Sequence, residues 1–258
     1  MGRMLTLLSG RAKRPLPPAI NTAGLTLRYD LTRLTPGIQA IPDLVGTAVA
    51  RMGSTDGADA NDPQVRPTFL RFDGVNDFAV APSAVTGAVS ALSRPVYEIV
   101  VRIDRLDGYR LFFQLGPNVD SAQSHGYMQA EGGNNRIAFS ARRAGDGANL
   151  FTAIAYSQLP PAGTWLYVLY HAGAQRVTAR WVGGATTAGG FGGNAIVTSA
   201  QPLIFGSYND TGGGRWFDGA IRHFAIYDGT NPAFASAAAF DAFADANFQA
   251  FASAGWLR

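Results

Sequence analysis

Short segments of alternating apolar and polar residues recur along this chain and restrict the folds open to it. Between residues 97 and 103, apolar side chains at odd positions alternate with Glu98, Val100 and Arg102 at even positions. Residues 176–181 repeat the pattern. Because side chains in a strand point alternately to opposite faces, each segment predicts a strand with one buried face and one more polar face.

Further short segments have the length and composition of strands. Residues 165–170 are apolar at both parities, which predicts a strand covered on both faces. Glycine- and asparagine-rich turns separate the segments, and this arrangement predicts an all-β sandwich or barrel. The other predicted strands lie at residues 25–30, 110–115, 137–140, 150–155, 203–205 and 220–227.

The composition favours strands over helices. Lys13 is the only lysine, and Glu98 and Glu131 are the only glutamates, while glycine and aromatic residues are plentiful. Lysine and glutamate favour helices, whereas aromatic and β-branched residues favour strands. The chain has no cysteine, which excludes disulfides, thiolate metal sites and a cysteine nucleophile.

The first 23 residues predict an arm that precedes the folded domain. Three prolines between residues 15 and 18 favour an extended conformation, and the apolar run at residues 4–8 is too short for a secretory signal peptide. We expect either a disordered tail or a segment that becomes ordered on a larger assembly. The arm carries the surplus positive charge of the chain, at Arg3, Arg11, Lys13 and Arg14.

The rest of the chain is close to neutral, and its basic residues do not cluster. Because nucleic-acid binding needs a basic face, we expect no nucleic-acid partner. No stretch approaches the roughly 20 apolar residues of a membrane span, so we expect no membrane insertion.

The segment between the first predicted strand and residue 68 is mostly irregular in pattern. Residues 53–67 are rich in glycine, aspartate, asparagine and proline, which predicts a long surface loop. The predicted sandwich domain spans residues 24–230.

Residues 231–258 predict a C-terminal helical segment. Asn231 followed by Pro232 is typical of a helix N-cap and first helical position. Such a helix is expected to pack on the sandwich through one apolar stripe; the alternative is contact with a partner subunit. The stripe consists of Phe240, Phe243, Phe248 and Phe251.

Several of these segments, in order, resemble the laminin-G-like branch of the concanavalin A-like lectin/glucanase superfamily. Residues 70–78, Leu-Arg-Phe-Asp-Gly-Val-Asn-Asp-Phe, resemble its FDG-x-x-D-aromatic strand and turn. Residues 217–221 resemble its closing F-x-G-x-I strand. The resemblance implies an antiparallel, concanavalin A-like jelly-roll β-sandwich. The chain departs from the family where Arg222 and His223 replace a frequent acidic pair.

Hydrolysis of glycosidic bonds, which some relatives of this fold perform, needs two carboxyl groups about 5–9.5 Å apart. Here Glu98 and Asp104 share one face of a predicted strand, but six residues of strand separate them by about 20 Å. The histidines, His125, His171 and His223, lie in separate segments without zinc-ligand spacing. A Ser-His-Asp triad could still form from distant residues, but the chain has no G-x-S-x-G elbow, and we expect each histidine to be an ordinary surface or packing residue. We therefore predict that the chain is not an enzyme.

Asp73 and Asp77 make calcium the one cofactor that the pattern suggests. Calcium is bound by several carboxylate and carbonyl oxygens. In a turn that contains glycine, however, aspartate side chains often bond backbone amides, and we prefer this structural role. We therefore expect no cofactor.

Sugar-binding sites commonly combine an aromatic ring with Asn, Asp or Arg side chains. The segment 207–216 supplies both within one loop. The alternative is that Trp216 packs beneath the loop and the polar groups are only solvated. The candidate ligand-binding residues are Tyr208, Asn209, Asp210, Arg215, Trp216, Tyr109, Asn134 and Asn135.

Together these features predict a non-catalytic virion component, such as a bacteriophage head or tail accessory protein assembled in the host cytoplasm. Its sandwich would contact host surface polysaccharide, and its arm would dock it to other virion proteins. Two alternatives stay open: a structural particle subunit without a ligand, and a secreted carbohydrate-active enzyme or its binding module. Because particle subunits are usually symmetric oligomers, we expect a homo-oligomer.

Overall fold

A computed structural model of the chain describes residues 19–55, 57–116, 123–198, 200–208 and 215–258. Within these residues, sixteen strands form two antiparallel sheets that face each other across a common core. The fold is the predicted all-β, concanavalin A-like jelly-roll sandwich. A helix near the end of the chain covers the outer face of one sheet, which we call the covered sheet. We call the other the open sheet.

The covered sheet contains eight strands. They are β1 (Leu25–Asp30), β4 (Gln64–Arg66), β5 (Phe69–Asp73), β7 (Pro95–Ile103), β12 (Trp165–His171), β13 (Arg176–Trp181), β14 (Gly184–Gly189) and β16 (Asp218–Asp228), numbered in chain order together with those of the open sheet. Their spatial order is β14-β13-β12-β7-β16-β5-β4, and β1 pairs with β16 beyond the part that pairs with β5.

The open sheet also contains eight strands. They are β2 (Ala40–Ile41), β3 (Ala50–Met52), β6 (Ala79–Ala81), β8 (Tyr109–Leu115), β9 (Gly126–Glu131), β10 (Arg136–Arg142), β11 (Asn149–Ala155) and β15 (Leu203–Phe205). Their spatial order is β11-β10-β9-β8-β15-β6-β3-β2.

The core lies between the sheets and is built from the inward face of each strand. On β7 the odd-numbered residues from Tyr97 to Ile103 all point into it, as their alternation predicts. Phe113 of the open sheet packs against Tyr97, with the ring centroids 5.1 Å apart. Each such buried side chain contributes about 1.5–3 kcal/mol to folding. These side chains hold the two sheets together.

The even-numbered face of β7 is also buried, which differs from the prediction. Glu98 and Val100 are fully buried beneath the C-terminal helix. Only Arg102, at the end of the strand, reaches the surface, where it pairs with Asp104 at 2.8 Å. The alternation was interpreted as one polar face because the sequence does not show that a distant helix covers it. β12 is buried along its whole length, as predicted.

Besides the strands, the chain forms a short helix between β6 and β7, α1 (Gly87–Ser90), and the C-terminal helix α2 (Ala237–Ser253). The predicted phenylalanine stripe attaches it to the covered sheet. Three members of the stripe are buried there and Phe248 is half-buried. The helix therefore packs on the outer face of the covered sheet.

The predicted start of this helix was wrong. Asn231 caps only a short 3-10 turn, Pro232–Phe234. The main helix begins after Ser236, whose hydroxyl accepts a hydrogen bond from the amide of Ala239 at 3.1 Å. Serine is also a strong N-cap, and its cap lies five residues beyond the one predicted.

Six strands were missed by the sequence prediction: β2, β3, β4, β6, β9 and β14. Four of them have only two or three residues, which is too short for a periodic signal. β4 lies inside the segment predicted as one long loop at residues 53–67. β14 consists of glycine, alanine and threonine, so it shows no apolar alternation.

The described chain begins against the covered sheet. Ile20 packs into the same cluster as the helix, and the amide of Asn21 donates to Oδ1 of Asn247 at 2.7 Å. Arg3, Arg11, Lys13 and Arg14 lie outside the described residues. None of the helices in the described ranges is long and apolar enough to cross a membrane.

Candidate functional site

The outer face of the open sheet carries the polar and aromatic residues that the structure brings together. Alternation along β9 sets this face, because Met128 and Ala130 point into the core, whereas Gln129 and Glu131 point outward. Strand pairing places Glu131 between Tyr109 on β8 and Arg136 on β10.

Arg215 is the centre of the aromatic part of this site. Its guanidinium carbon lies 4.4 Å from the ring centroid of Tyr208 and 5.2 Å from that of Tyr109. Such cation–π contacts contribute about 0.5–1 kcal/mol at exposed sites. Nη1 of Arg215 donates to Oε1 of Gln129 at 3.2 Å, and its backbone carbonyl accepts from the amide of Leu111 at 2.8 Å. Both the backbone and the side chain of Arg215 are therefore held in place.

Glu131 is the centre of the polar part of the site. Its carboxylate accepts hydrogen bonds from Gln129 at 3.0 Å, Asn134 at 2.9 Å and Arg136 at 2.7 Å. Burial raises the pKa of the Glu131 carboxyl, but the hydrogen bonds outweigh burial, and the pKa lies below its ordinary value. Glu131 is therefore ionised at neutral pH and orients three donors.

Gln129 joins the two parts, because it accepts from Arg215 and donates to Glu131. At the far end, the guanidinium of Arg136 lies 4.5 Å from the ring centroid of Phe151 on β11. A continuous chain of contacts thus crosses four strands of the open sheet. Tyr109 remains 50% exposed, so the site presents an aromatic surface to solvent beside fixed polar groups. We call this set of residues the Tyr109–Arg215 site.

Four of the predicted ligand-binding residues meet at this site: Tyr109, Tyr208, Arg215 and Asn134. They come from three segments that are distant in sequence. Tyr109 lies on β8, Asn134 lies in the turn between β9 and β10, and Tyr208 and Arg215 follow β15.

The other predicted residues lie elsewhere. Trp216 is half-buried beside the site, where it packs on Phe78 with ring centroids 6.4 Å apart. Asn135 has a left-handed backbone conformation, with φ of 50°, in the turn between β9 and β10. Asn209 and Asp210 lie outside the described residues.

Sequence reasoning missed Gln129, Glu131, Arg136 and Phe151. A signal was present, since Tyr127, Gln129 and Glu131 alternate with smaller or apolar residues and end at the Gly-Gly-Asn-Asn turn. The segment was not recognised as a strand, so its outward residues were not considered together.

A second hydrogen-bond network lies on the covered sheet and is closed to solvent. Glu98 is 0% exposed and accepts hydrogen bonds from the hydroxyl of Tyr227 at 2.6 Å and Nδ2 of Asn247 at 2.7 Å. Nε2 of His223 lies 3.0 Å from the same carboxylate. Helix α2 covers the network, so a polysaccharide cannot reach Glu98.

The turn after β5 uses its two aspartates to hold the backbone. Asp73 accepts a hydrogen bond from the amide of Val75 at 2.8 Å, and Asp77 accepts one from the amide of Asp73 at 2.7 Å. Gly74 has φ of +79°, and a Cβ there would lie 2.7 Å from Cβ of Asp218. Among the described residues, no three His, Asp or Glu side chains are placed to hold a metal ion together.

All three histidines are fully buried. His171 packs among the rings of Phe191, Phe234 and Phe240. Burial lowers the pKa of His171 to about 3, so it is neutral at physiological pH. Its surroundings are those of a core residue.

The fold and the site together define a two-layer, antiparallel β-sandwich with a cluster of aromatic and polar groups on its open face. No protein-family model matches the chain, and no curated protein matches it. Solved structures do share its fold.

The binding domain of botulinum neurotoxin serotype D matches with a TM-score of 0.53 at 11% identity, over 81% of this chain and 49% of that chain. The receptor binding domain of botulinum neurotoxin mosaic serotype C/D gives 0.54 at 11%, over 81% and 48%. Trypanosoma rangeli sialidase in complex with sialic acid gives 0.52 at 16%, over 81% and 31%. The chain thus spans about a third to a half of these proteins. Identities this low show the fold alone.

Proposed function

We propose that this chain is a non-catalytic, lectin-like domain that binds glycans at the Tyr109–Arg215 site. The observation that carries the proposal is the half-exposed ring of Tyr109, stacked on Arg215 beside a line of fixed donors and acceptors. A sugar offers an apolar ring face for stacking and hydroxyls for hydrogen bonding. Sites of this kind bind well when their polar groups are already held in position.

The two glutamates of the chain support the proposal that the domain is not catalytic. Glycoside hydrolysis usually needs one protonated and one ionised carboxyl group on either side of the bond. At the Tyr109–Arg215 site, Glu131 is ionised and its hydrogen bonds to three side chains occupy it. Glu98, the other glutamate of the chain, is buried beneath α2. The sialidase that shares the fold does not alter this, because its likeness concerns the fold alone.

The test is glycan-array binding of the chain and of Tyr109→Ala. Loss of an aromatic stacking partner should weaken binding by about tenfold, which corresponds to the upper range measured for aromatic pairs. Val182→Ala is the control, because Val182 is also exposed (62%) but lies beyond β13 of the covered sheet. Equal binding of Tyr109→Ala and the unaltered chain would discard the site.

The proposed setting is a virion, such as that of a bacteriophage, in which the arm docks the domain to other particle proteins and the glycan belongs to the host surface. The support comes from the sequence of the arm, which is proline-containing and basic at Arg3, Arg11, Lys13 and Arg14. Deletion of residues 1–18 should abolish incorporation into particles while glycan binding persists. Unchanged incorporation would remove the proposed role of the arm.

The proposal includes a homo-oligomer, as expected of particle subunits. Light scattering of the full chain measures its mass directly. A monomer at all concentrations would contradict this part of the proposal without affecting the glycan site.

A further inference from the structure

A pocket of about 510 Å³ opens on the outer face of the open sheet, at the end opposite β11. Its volume lies within the range of about 300–1,000 Å³ that is typical of small-molecule sites. Strands β2, β3 and β6 form its floor. The lining residues are Gln39, Ala40, Val49, Arg51, Val80 and Pro82.

The lining combines an apolar wall with two polar groups. Val49, Val80 and Pro82 supply the wall. Oε1 of Gln39 is buried and has no hydrogen-bond partner among the described residues. Such an acceptor carries a desolvation penalty until a donor reaches it. Arg51 adds guanidinium N–H donors to the same pocket.

We propose that this pocket binds the acetamido group of an N-acetylated sugar. An acetamido group has three parts: an N–H donor, a carbonyl acceptor and a methyl group. The N–H would donate to Oε1 of Gln39, the carbonyl would accept from Arg51, and the methyl would contact Val49 and Val80. The inference rests on the proposed function, since the sugar would belong to the glycan bound at the Tyr109–Arg215 site.

Other chemistries fit the lining less well. A purely apolar group would leave the Gln39 oxygen buried without a donor. A carboxylate would pair with Arg51, but it has no donor for the Gln39 oxygen and no apolar part to cover the wall. A sugar hydroxyl has no apolar part to cover Val49, Val80 and Pro82.

The pocket and the Tyr109–Arg215 site lie on one continuous face. A single cross-strand row joins Arg51 on β3, Val80 on β6, Ile204 on β15 and Gln114 on β8. Three strand spacings, about 14 Å, separate Arg51 from Gln114. Nε2 of Gln114 donates to the backbone carbonyl of Tyr208, a residue of the Tyr109–Arg215 site, at 2.9 Å. Trp216 packs on Val80 and Ile204, and the preceding residue is Arg215. One oligosaccharide of a few sugar units can therefore contact both places.

The test uses pairs of oligosaccharides that differ only at carbon 2 of the sugar, which carries either hydroxyl or acetamido. Glucose and N-acetylglucosamine oligomers form one series, and galactose and N-acetylgalactosamine oligomers form the other. The acetamido member of at least one series should bind about tenfold more tightly, as expected for one added hydrogen bond and a buried methyl group.

Two variants connect that preference to the pocket. Gln39→Leu removes the acceptor, and Val49→Trp fills the pocket from an exposed position. Each should bind the acetamido sugar no better than the hydroxyl sugar. Val182→Trp enlarges an exposed valine away from the open sheet and should keep the preference. Thermal unfolding of each variant checks that it is folded.

The outcomes separate the two proposals. Binding that depends on Tyr109 but shows no acetamido preference in either series overturns the pocket assignment and leaves the proposed function standing. A preference that survives both Gln39→Leu and Val49→Trp also overturns the assignment. No binding of any glycan overturns the proposed function, and the pocket assignment with it.

Discussion

The two outer faces of the sandwich are built around the only two glutamates of the chain, and they differ in what covers them. Glu98 lies on the covered sheet, and Glu131 lies on the open sheet. Each carboxylate has three polar neighbours on other residues within 3.0 Å. Helix α2 closes the first network, whereas the second borders the half-exposed Tyr109.

The comparison shows how one type of polar cluster can serve either structure or recognition. A carboxylate sealed from water must have every lone pair satisfied by protein groups, so its network tolerates no loss. A carboxylate at the edge of an open face can replace a lost partner with water. The neighbours differ accordingly: Glu98 has tyrosine, asparagine and histidine, and Glu131 has an arginine that is 35% exposed.

The largest expected effect comes from removing the buried carboxylate. Glu98→Ala leaves Tyr227, Asn247 and His223 without their shared partner beneath α2. Removing one member of a buried polar pair typically costs about 3–5 kcal/mol. Urea unfolding followed by tryptophan fluorescence should show a loss of this size in the free energy of unfolding. A loss below about 1 kcal/mol, as at exposed pairs, would mean that the covered network does not stabilise the fold.

The second effect is a loss of stability in acid. Burial raises the pKa of Glu98, but its hydrogen bonds to His223, Tyr227 and Asn247 outweigh burial and leave the pKa below the ordinary value. A depressed carboxyl pKa stabilises the fold above the pKa of the unfolded chain, and this contribution is lost as pH falls through the folded pKa. The urea midpoint should therefore drop from about pH 4.5 downward.

Glu98→Gln separates this contribution from the other carboxylates. The variant cannot ionise at position 98, so its urea midpoint should depend less on pH below 4.5 than that of the unaltered chain. An identical acid profile would assign the loss to other groups, Glu131 among them.

Much of the covered face follows from local sequence rules. Period-two alternation identifies β7, and the phenylalanine spacing identifies the apolar stripe of α2. Their meeting is not local, because Asn247 and Glu98 are 149 residues apart. The alternation therefore predicted a polar, solvent-facing side of β7, whereas helix α2 buries that side in the folded chain.

The open face was less predictable, for the same reason. Tyr208 and Arg215 were identifiable as an aromatic and basic loop, but the groups that hold them were not. Arg215 bonds Gln129, which is 86 residues away on a strand with weak alternation. Only the order of strands in the sheet brings these residues together, and no local pattern encodes that order.

The third effect concerns the open face alone. Arg215→Ala removes the cation between Tyr109 and Tyr208, so glycan binding should weaken by about tenfold, while stability changes by less than about 1 kcal/mol. Isothermal titration and urea unfolding measure the two quantities. Arg105→Ala is the control, since Arg105 is 53% exposed and pairs with Asp107, which is 60% exposed. A large loss of stability in Arg215→Ala would place this residue among the structural ones.

The smallest effect should come from Glu131→Gln, the counterpart of the first substitution. The change keeps the size of the side chain and removes the charge that orients Asn134 and Arg136. The Glu131 side chain is 8% exposed and that of Arg136 is 35% exposed, so water can reach the Arg136 end of the lost ion pair. The cost in stability should therefore be about 1 kcal/mol, between that of an exposed pair and that of a sealed one. Glycan binding should fall a few-fold, since the donors lose their fixed positions. If Glu131→Gln instead destabilises the chain as much as Glu98→Ala, the open network is structural too, and the contrast between the two faces fails.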